Sequence, residues 1–215
     1  MLQFERQYWD IGLRRVAGVD EAGRGPLAGP VVAAAVVLDC SFAESEEHGL
    51  LDGLTDSKKL SEARRESFFV LLIESPYVEI GVGTSDVIEI EDLNILHATH
   101  MAMSRAINNL PSLPDHVLVD GLSVNDLPCS STAIVGGDAK SLSVAAASII
   151  AKVVRDGHMR ELDLMYPEYG FAKHKGYGSK AHIQALFEHG PAPVHRKTFR
   201  PVREADEIRR RIMRS

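Results

Sequence analysis

The amino-acid sequence predicts an α/β protein in which helices cover a mixed sheet. Two observations lead to this class. Short apolar runs of β character alternate along the chain with longer segments of helical periodicity. The first two apolar runs, over 16–21 and 30–38, are separated only by a turn rich in Gly and Pro, which predicts a β-hairpin. A hairpin followed by alternating helices and strands is typical of a mixed sheet that carries helices.

The sheet is predicted to contain five strands. After the hairpin, a third strand is expected where Val78 and Ile80 alternate with other residues. Two short apolar runs follow, and each leads into Gly and Asp residues, as is common where a strand ends in a turn. These three strands span 77–83, 116–119 and 132–135.

Five helices are predicted around this sheet. The first begins after Ser61, whose hydroxyl suits a helix N-cap. The second ends before Pro111, and the Ala-rich third ends before Pro167. The second helix has an apolar stripe formed by Leu93, Leu96, Met103 and Ile107. The five helices span 61–75, 92–110, 143–164 and, less sharply bounded, 179–188 and 203–213.

The composition, with 45% apolar and 25% charged residues, is that of an ordinary globular protein. The longest apolar run, Val31 to Leu38, is far shorter than a membrane span, and the first residues lack the organisation of a signal peptide. Cys40 and Cys129 have the spacing of neither a disulfide framework nor a zinc site. We therefore expect a cytoplasmic protein with no membrane partner.

Charge is distributed unevenly along the chain. Residues 173–215 contain 11 Lys and Arg against 4 Asp and Glu, a net charge of +7, whereas residues 1–172 have a net charge of −13. This asymmetry suggests a polyanionic partner, although a solvated basic helix explains it as well. We expect residues 1–172 to form the main domain and residues 173–215 to form a basic, mainly helical extension packed on it.

Four carboxylates lie where predicted strands end, namely Asp20, Glu21, Asp120 and Asp138. A single Asp at such a position is usually a turn residue, but several in one domain favour convergence at one edge of the sheet. Converging carboxylates repel one another unless cations neutralise them, and oxygen ligands without His or Cys select Mg²⁺ or Mn²⁺. Two such ions about 4 Å apart are a common device for phosphodiester cleavage, so a nuclease-like or polymerase-like site is predicted.

Two of these acids are adjacent and precede a Gly-Arg-Gly turn. Neighbouring residues of a strand point to opposite faces, so Asp20 and Glu21 share one site only if the backbone bends. Gly23 and Gly25 supply that freedom, and they also let a backbone approach a ligand closely.

The chain resembles ribonuclease HII over nearly its whole length. The resemblance is carried by motifs that occur in the family's order, and together they are very specific. They are DEAGRGPLAGPVV at 20–32, DSKKL at 56–60, NILHAT at 94–99, VDG at 119–121, GD at 137–138, AAASIIAKVVRD at 145–156, HKGYG at 174–178 and HRKTF at 195–199. The resemblance implies an RNase H-like α/β fold with a helical C-terminal extension.

The resemblance also implies roles for individual residues. Asp20, Glu21, Asp120 and Asp138 match the family's metal-binding and catalytic acids, which hold two Mn²⁺ or Mg²⁺ ions in the active complex. Gly136 stands where the family commonly has Lys, so Asp138 is expected to be the loosest ligand.

A second group of matches concerns the substrate. Gly23, Arg24 and Gly25 match the segment whose backbone senses the 2′-hydroxyl of a ribonucleotide. Tyr177 matches the residue that stacks on the following deoxyribose, although on its own it reads as a packing residue. Because a 2′-hydroxyl is what separates RNA from DNA, the two elements would together read an RNA-to-DNA junction.

Basic and hydroxyl residues complete the implied binding site. Lys58 and Lys59 precede a predicted helix, where phosphate contacts are natural. Ser148, Lys152 and Arg155 share a face of the Ala-rich helix. The resemblance makes all five positioning or phosphate-binding groups, whereas the residues alone indicate ordinary solvated surface.

The nine histidines show no spacing typical of metal ligands. His97 and His100 are expected to be packing residues, and His174 and His195 are assigned no catalytic role.

The activity implied is hydrolysis of the RNA strand of RNA–DNA hybrids and incision 5′ of single ribonucleotides in duplex DNA. The products would carry 5′-phosphate and 3′-hydroxyl ends. Three alternatives are open: a resolvase-type DNA nuclease, a catalytically silent nucleic-acid-binding protein, and ribonuclease HIII. The last typically has Gly-Thr-Gly where Arg24 stands, and an extra N-terminal domain, whereas about 15 residues precede the first predicted strand here. We expect a monomer, and no convincing motif for a sliding clamp follows Phe199.

Overall fold

A computed structural model describes residues 1–212 and contains five strands among eight α-helices. The strands are β1 Val16–Ala22, β2 Val31–Leu38, β3 Val78–Ser85, β4 His116–Asp120 and β5 Ser131–Ile134. The helices are α1 Gln3–Trp9, α2 Cys40–Glu46, α3 Glu62–Glu74, α4 Val87–Asn108, α5 Leu142–Met165, α6 Phe171–His174, α7 Lys180–His189 and α8 Arg200–Ile212. All five predicted strands are therefore present, whereas α1, α2 and α6 were not predicted.

The sheet is mixed, as predicted, with the strand order β3-β2-β1-β4-β5. β1 and β2 form the predicted antiparallel hairpin, β2 pairs with β3 in the same way, and β4 is parallel to both β1 and β5. Every residue of β2 is buried because the strand lies between two others and is covered by helices on both faces.

One face of the sheet is covered by α5. Close contact is possible because β1 has Gly18 at the crossing point, where a Cβ atom would lie 2.1 Å from the carbonyl carbon of Ser143. The first turn of α5 is held by Glu5 of α1, whose Oε1 accepts hydrogen bonds from the Ser141 and Ser143 hydroxyls and from the Ser143 N–H. These contacts fix the start of α5 against the end of the sheet that carries the acids.

The other face is covered by α4, which differs from the predicted helix. It begins five residues earlier than predicted, and the left-handed φ of +66° at Asn94 interrupts it. As a result Leu93 and Leu96 are exposed rather than part of the core, so the predicted stripe is wrong in its first half. His97 is exposed as well, because Asn94 caps the second half of the helix beside it, and the predicted packing role for His97 is wrong.

The C-terminal segment adds a third apolar cluster at the edge of the sheet. Phe171, Leu186 and Val202 pack there against Leu27 and Met159. The predicted boundary at residue 172 falls inside α6, and the division into two parts stays a prediction. The last predicted helix was expected to reach 213, and that residue lies outside the described part of the chain. No helix in the described range is both long and apolar enough to cross a membrane.

Candidate active site

Three of the predicted acids converge at one end of the sheet. β1 and β4 are parallel with Val19 opposite Val119, so the next residues, Asp20 and Asp120, lie side by side on the same face. Asp138 follows β5 in a short 3₁₀ turn, and Gly137 of that turn donates its N–H to Oδ1 of Asp120 at 2.7 Å. Carboxylate oxygens of the three Asp residues all lie within 4.8 Å of one another.

Burial and crowding raise the pKa values of Asp20 and Asp138. Burial, together with the charges of Glu21 and Asp120, raises the pKa of Asp20 well above its usual range. Burial and the neighbouring carboxylates of Asp120 and Asp56 raise the pKa of Asp138. Asp56 is thus a further acid near the cluster, which sequence analysis did not select although it begins one of the quoted motifs. Such a group of oxygen atoms fits a divalent cation, because a cation offsets both the burial and the mutual repulsion that raise these pKa values.

Glu21 lies beside the three Asp residues rather than among them. Its Oε1 is 3.5 Å from a guanidinium nitrogen of Arg24, and its negative charge raises the pKa of the neighbouring Asp20. Burial raises the pKa of Glu21, with a smaller contribution from Asp120 in the same direction, while Arg24 opposes the rise. Glu21 is thus close enough to Asp20 and Asp120 to interact with them electrostatically.

A cleft opens next to the acids, and most of the predicted substrate residues line it. These are Gly23, Arg24, Gly25, Lys58, Ser148, Lys152 and Tyr177, with Glu21, Ala22, Ser57 and Arg155 completing the lining. Lys59 is exposed and is not among the lining residues. The cleft therefore joins the Gly-Arg-Gly turn, the Tyr177 loop and the middle of α5 next to the acids.

The two glycines of the turn have different surroundings. Gly23 is buried with a φ of +105°, and a Cβ atom there would lie 2.0 Å from Nε of Arg155. Gly25 is exposed, and a Cβ atom there would meet only Cε1 of Tyr177, at 3.6 Å. Gly23 is therefore required by the fold, whereas the open space at Gly25 belongs to the cleft.

The basic residues of the cleft are held by specific partners. Burial opposes protonation of Lys58, but Asp20, Asp56 and Asp138 outweigh it and raise the Lys58 pKa. Lys152 forms a 2.7 Å ion pair with Asp156 one turn along α5. Burial nevertheless lowers the Lys152 pKa.

The hydroxyl of Ser148 bonds that of Ser57 at 2.8 Å, which ties α5 to the loop that precedes α3. This bond fixes the loop carrying Lys58 beside the acids.

Two buried arginines hold the backbone that borders the cleft. Arg155 is 1% exposed and donates to the carbonyl oxygens of Ala28, Pro30 and Lys175, so its interpretation as helix surface is wrong. Arg196 is completely buried beneath the Gly-Arg-Gly turn, and sequence analysis did not select it. The only sequence signal for Arg196 is its place in the HRKTF motif.

Comparisons with known proteins agree with this geometry. A family model described as Ribonuclease HII matches residues 17–202. The ribonuclease HII of Chlamydia trachomatis serovar A is 53% identical over 203 residues, which are 94% of this chain and 89% of that protein.

Two solved structures resemble the fold. The ribonuclease H2 of Pyrococcus horikoshii OT3 superposes with a TM-score of 0.74 and 31% identity, covering 91% of this chain and 99% of that one. The PCNA:RNase HII complex from Archaeoglobus fulgidus gives a TM-score of 0.69 and 25% identity over 86% and 95% of the respective chains. The predicted RNase H-like fold is thereby confirmed.

Proposed function

The chain belongs to the ribonuclease HII family of ribonucleases H, and on that premise we propose that it incises duplex DNA 5′ of single embedded ribonucleotides as well as hydrolysing the RNA strand of RNA–DNA hybrids. The observation that carries the proposal is the cluster of Asp20, Asp120 and Asp138 at the edge of a cleft. The same cleft contains both elements suited to reading an RNA-to-DNA junction, the Gly-Arg-Gly turn and Tyr177.

Asp20, Asp120 and Asp138, with Glu21 beside them, would hold Mg²⁺ or Mn²⁺. The raised pKa values of Asp20 and Asp138 support this assignment, since crowded carboxylates stay ionised at neutral pH most easily when a divalent cation is bound. Two bound ions would lower the barrier by activating water and by stabilising the leaving 3′ oxygen. The product ends would then be a 5′-phosphate and a 3′-hydroxyl.

The remaining residues of the cleft would bind and orient the nucleic acid. Lys58 and Lys152 add amino groups to the lining of the cleft, where they could contact phosphates of the cleaved strand, Lys152 while paired with Asp156. The backbone at Arg24 and Gly25 would contact the 2′-hydroxyl, because no side chain shields it at Gly25. The half-exposed ring of Tyr177, next to Gly25, would stack on the following sugar. Lys59, outside the cleft lining, is proposed only as a contact to a more distant phosphate.

The Archaeoglobus fulgidus relative is described in complex with PCNA, which supports a sliding clamp as a partner for this chain. A monomer in the cytoplasm is the simplest proposal.

The test is cleavage of a labelled DNA duplex that contains one ribonucleotide, with Mg²⁺, with Mn²⁺ and with EDTA. We expect incision 5′ of the ribonucleotide only when a metal is present, with an all-DNA duplex left intact. The matched control is Asp120→Asn, which keeps the shape of the side chain, removes its charge and should bind the duplex without cutting it. Cutting of the all-DNA duplex would indicate a resolvase-type nuclease, and binding without cutting by the unaltered protein would indicate a silent binder.

A further inference from the structure

Arg196 is a completely buried cation whose hydrogen-bond partners are all backbone carbonyls. It lies just before α8, more than 160 residues along the chain from the turn that it contacts. Its guanidinium group donates hydrogen bonds of 2.7–3.2 Å to the carbonyl oxygens of Gly23, Arg24, Pro26, Gly29 and Pro30. Among residues 1–212 no carboxylate lies within ion-pair distance of it. The carbonyl oxygens of one loop therefore take the place of a negatively charged partner for the planar guanidinium group.

These hydrogen bonds determine where the N–H groups of the same loop point. In a trans peptide unit the C=O and the N–H are directed oppositely, and no peptide bond of the described chain is cis. The carbonyl groups of Gly23 and Arg24 face Arg196, so the N–H groups of Arg24 and Gly25 face away from it. Neither N–H has an acceptor within the described part of the chain. By contrast, the N–H of Leu27 is already used by the carbonyl of Gly176 at 2.8 Å.

The free N–H groups are next to the cleft. Arg24 and Gly25 both line it and are exposed, whereas Gly23 and the residues from Pro26 to Gly29 are buried. Burial and the nearby Arg155 lower the pKa of Arg196 to about 9, which leaves the guanidinium charged at neutral pH. A charged donor polarises the peptide groups that it contacts, so the outward N–H groups become better donors.

We propose that Arg196 is a positioning residue for ribonucleotide recognition, which aims the N–H groups of Arg24 and Gly25 at the oxygen of the 2′-hydroxyl. A deoxyribose offers only C–H at that position and cannot accept these bonds. The inference rests on the proposed function, and it adds a residue that touches neither the substrate nor the acids. Its consequence is that the preference for a ribonucleotide depends on a side chain buried under the turn.

The experiment compares equilibrium binding of two DNA duplexes that differ by one ribonucleotide, in EDTA so that neither is cut. The variant is Arg196→Lys, which keeps the positive charge but has a single nitrogen that cannot reach five carbonyl oxygens. We expect the ratio of the two dissociation constants to fall at least fivefold from its value in the unaltered protein. Affinity for the all-DNA duplex should change less than twofold.

A control separates this effect from a loss of stability. Ile107→Ala removes a buried side chain of α4, in an apolar cluster that contains no residue of the loop. We expect Ile107→Ala to lower the thermal midpoint and to leave the ribonucleotide preference unchanged. A folded Arg196→Lys protein that keeps the full preference overturns the inference, as does an equal loss of preference in Ile107→Ala.

If Arg196→Lys does not fold, Phe199→Leu carries the test. The Phe199 ring lies 5.3 Å from the Arg196 guanidinium carbon and limits its movement. We expect this variant to lose preference about twofold, and an unchanged preference overturns the inference. Failure of the proposed function itself looks different, because the unaltered protein would then show no preference and no metal-dependent incision.

Discussion

The substitution Gly25→Ala separates substrate recognition from folding, because Gly25 borders the cleft but the fold does not require it. A Cβ atom here meets only Cε1 of Tyr177 within 4 Å, and the 3.6 Å distance is an ordinary van der Waals contact. The backbone at Gly25 also lies outside the left-handed region that favours glycine. We therefore expect the free energy of unfolding to stay the same or to rise by about 0.4–1 kcal/mol, as when other unstrained glycines become alanine.

The effect on activity should be much larger. The added methyl group would lie between the turn and Tyr177, where the ribose is proposed to bind. Forcing a methyl group into a filled site costs about 1–3 kcal/mol. At about 1.4 kcal/mol for each tenfold change, kcat/KM for incision at a single ribonucleotide should fall about 5- to 150-fold. The assay is initial-rate cleavage of a labelled duplex, with a urea unfolding curve measured on the same preparation.

Gly23→Ala is the matched comparison two residues earlier. Its φ of +105° and the 2.0 Å approach of Arg155 Nε to the added Cβ atom should cost at least about 1–3 kcal/mol of stability. Full activity in Gly25→Ala would refute contact between this turn and the ribose. A loss of stability in Gly25→Ala as large as that in Gly23→Ala would refute the argument from open space.

Three further predictions use the same preparations. Tyr177→Ala should reduce incision at a single ribonucleotide at least tenfold more than cleavage of a long hybrid, with a small change in thermal midpoint because the ring is 44% exposed; an equally large loss of stability would favour a packing role. Mg²⁺ or Mn²⁺ at about 100 times its dissociation constant should raise the free energy of unfolding by about 2.7 kcal/mol, which corresponds to a rise of about 5–10 °C in thermal midpoint. Asp120→Asn should lose most of this stabilisation by the metal. Burial and His182 lower the pKa of His195 to about 4, so the native protein binds this proton less readily than the unfolded chain does. Stability should therefore fall as the pH drops below 6.5, by about 2 kcal/mol from pH 7 to pH 5 for this group, and urea unfolding should show a weaker pH dependence in His195→Gln but not in the exposed His48→Gln.

The core of the site could be predicted because local patterns determine it. Apolar runs that end in Asp identify strand ends, and the parallel pairing of β1 with β4 then brings Asp20 next to Asp120. The alternation of side chains along a strand already indicated that Asp20 and Glu21 need not join one group, and the closest group of carboxylates contains only the three Asp residues. The early start of α4 had a usable signal, since Asp86 and Glu89 form a capping box.

Other features depend on contacts between distant residues and leave little trace in the sequence. The seven-residue helix α1 is anchored by Glu5 to residues more than 130 positions away, which no local periodicity reports. From the sequence, Arg155 reads as part of a helix surface and Arg196 as part of the basic C-terminal segment, yet both donate to carbonyl oxygens of the loop between β1 and β2. Every residue has a backbone carbonyl, so sequence patterns cannot identify which loop will accept the hydrogen bonds of a buried arginine.

The structure also changes how the basic C-terminal segment is understood. Its net charge of +7 suggested a surface for a polyanion, but Arg196 is buried and uses its charge internally. On α8, Arg200 pairs with Glu204 and Arg210 pairs with Asp206, each at 2.7 Å. Because their charges are paired, these residues attract a distant phosphate less strongly than free arginines would. Under the proposed function, the segment would contribute in two ways: its unpaired charges would lie toward the nucleic acid, and Arg196 would shape the turn next to the acids.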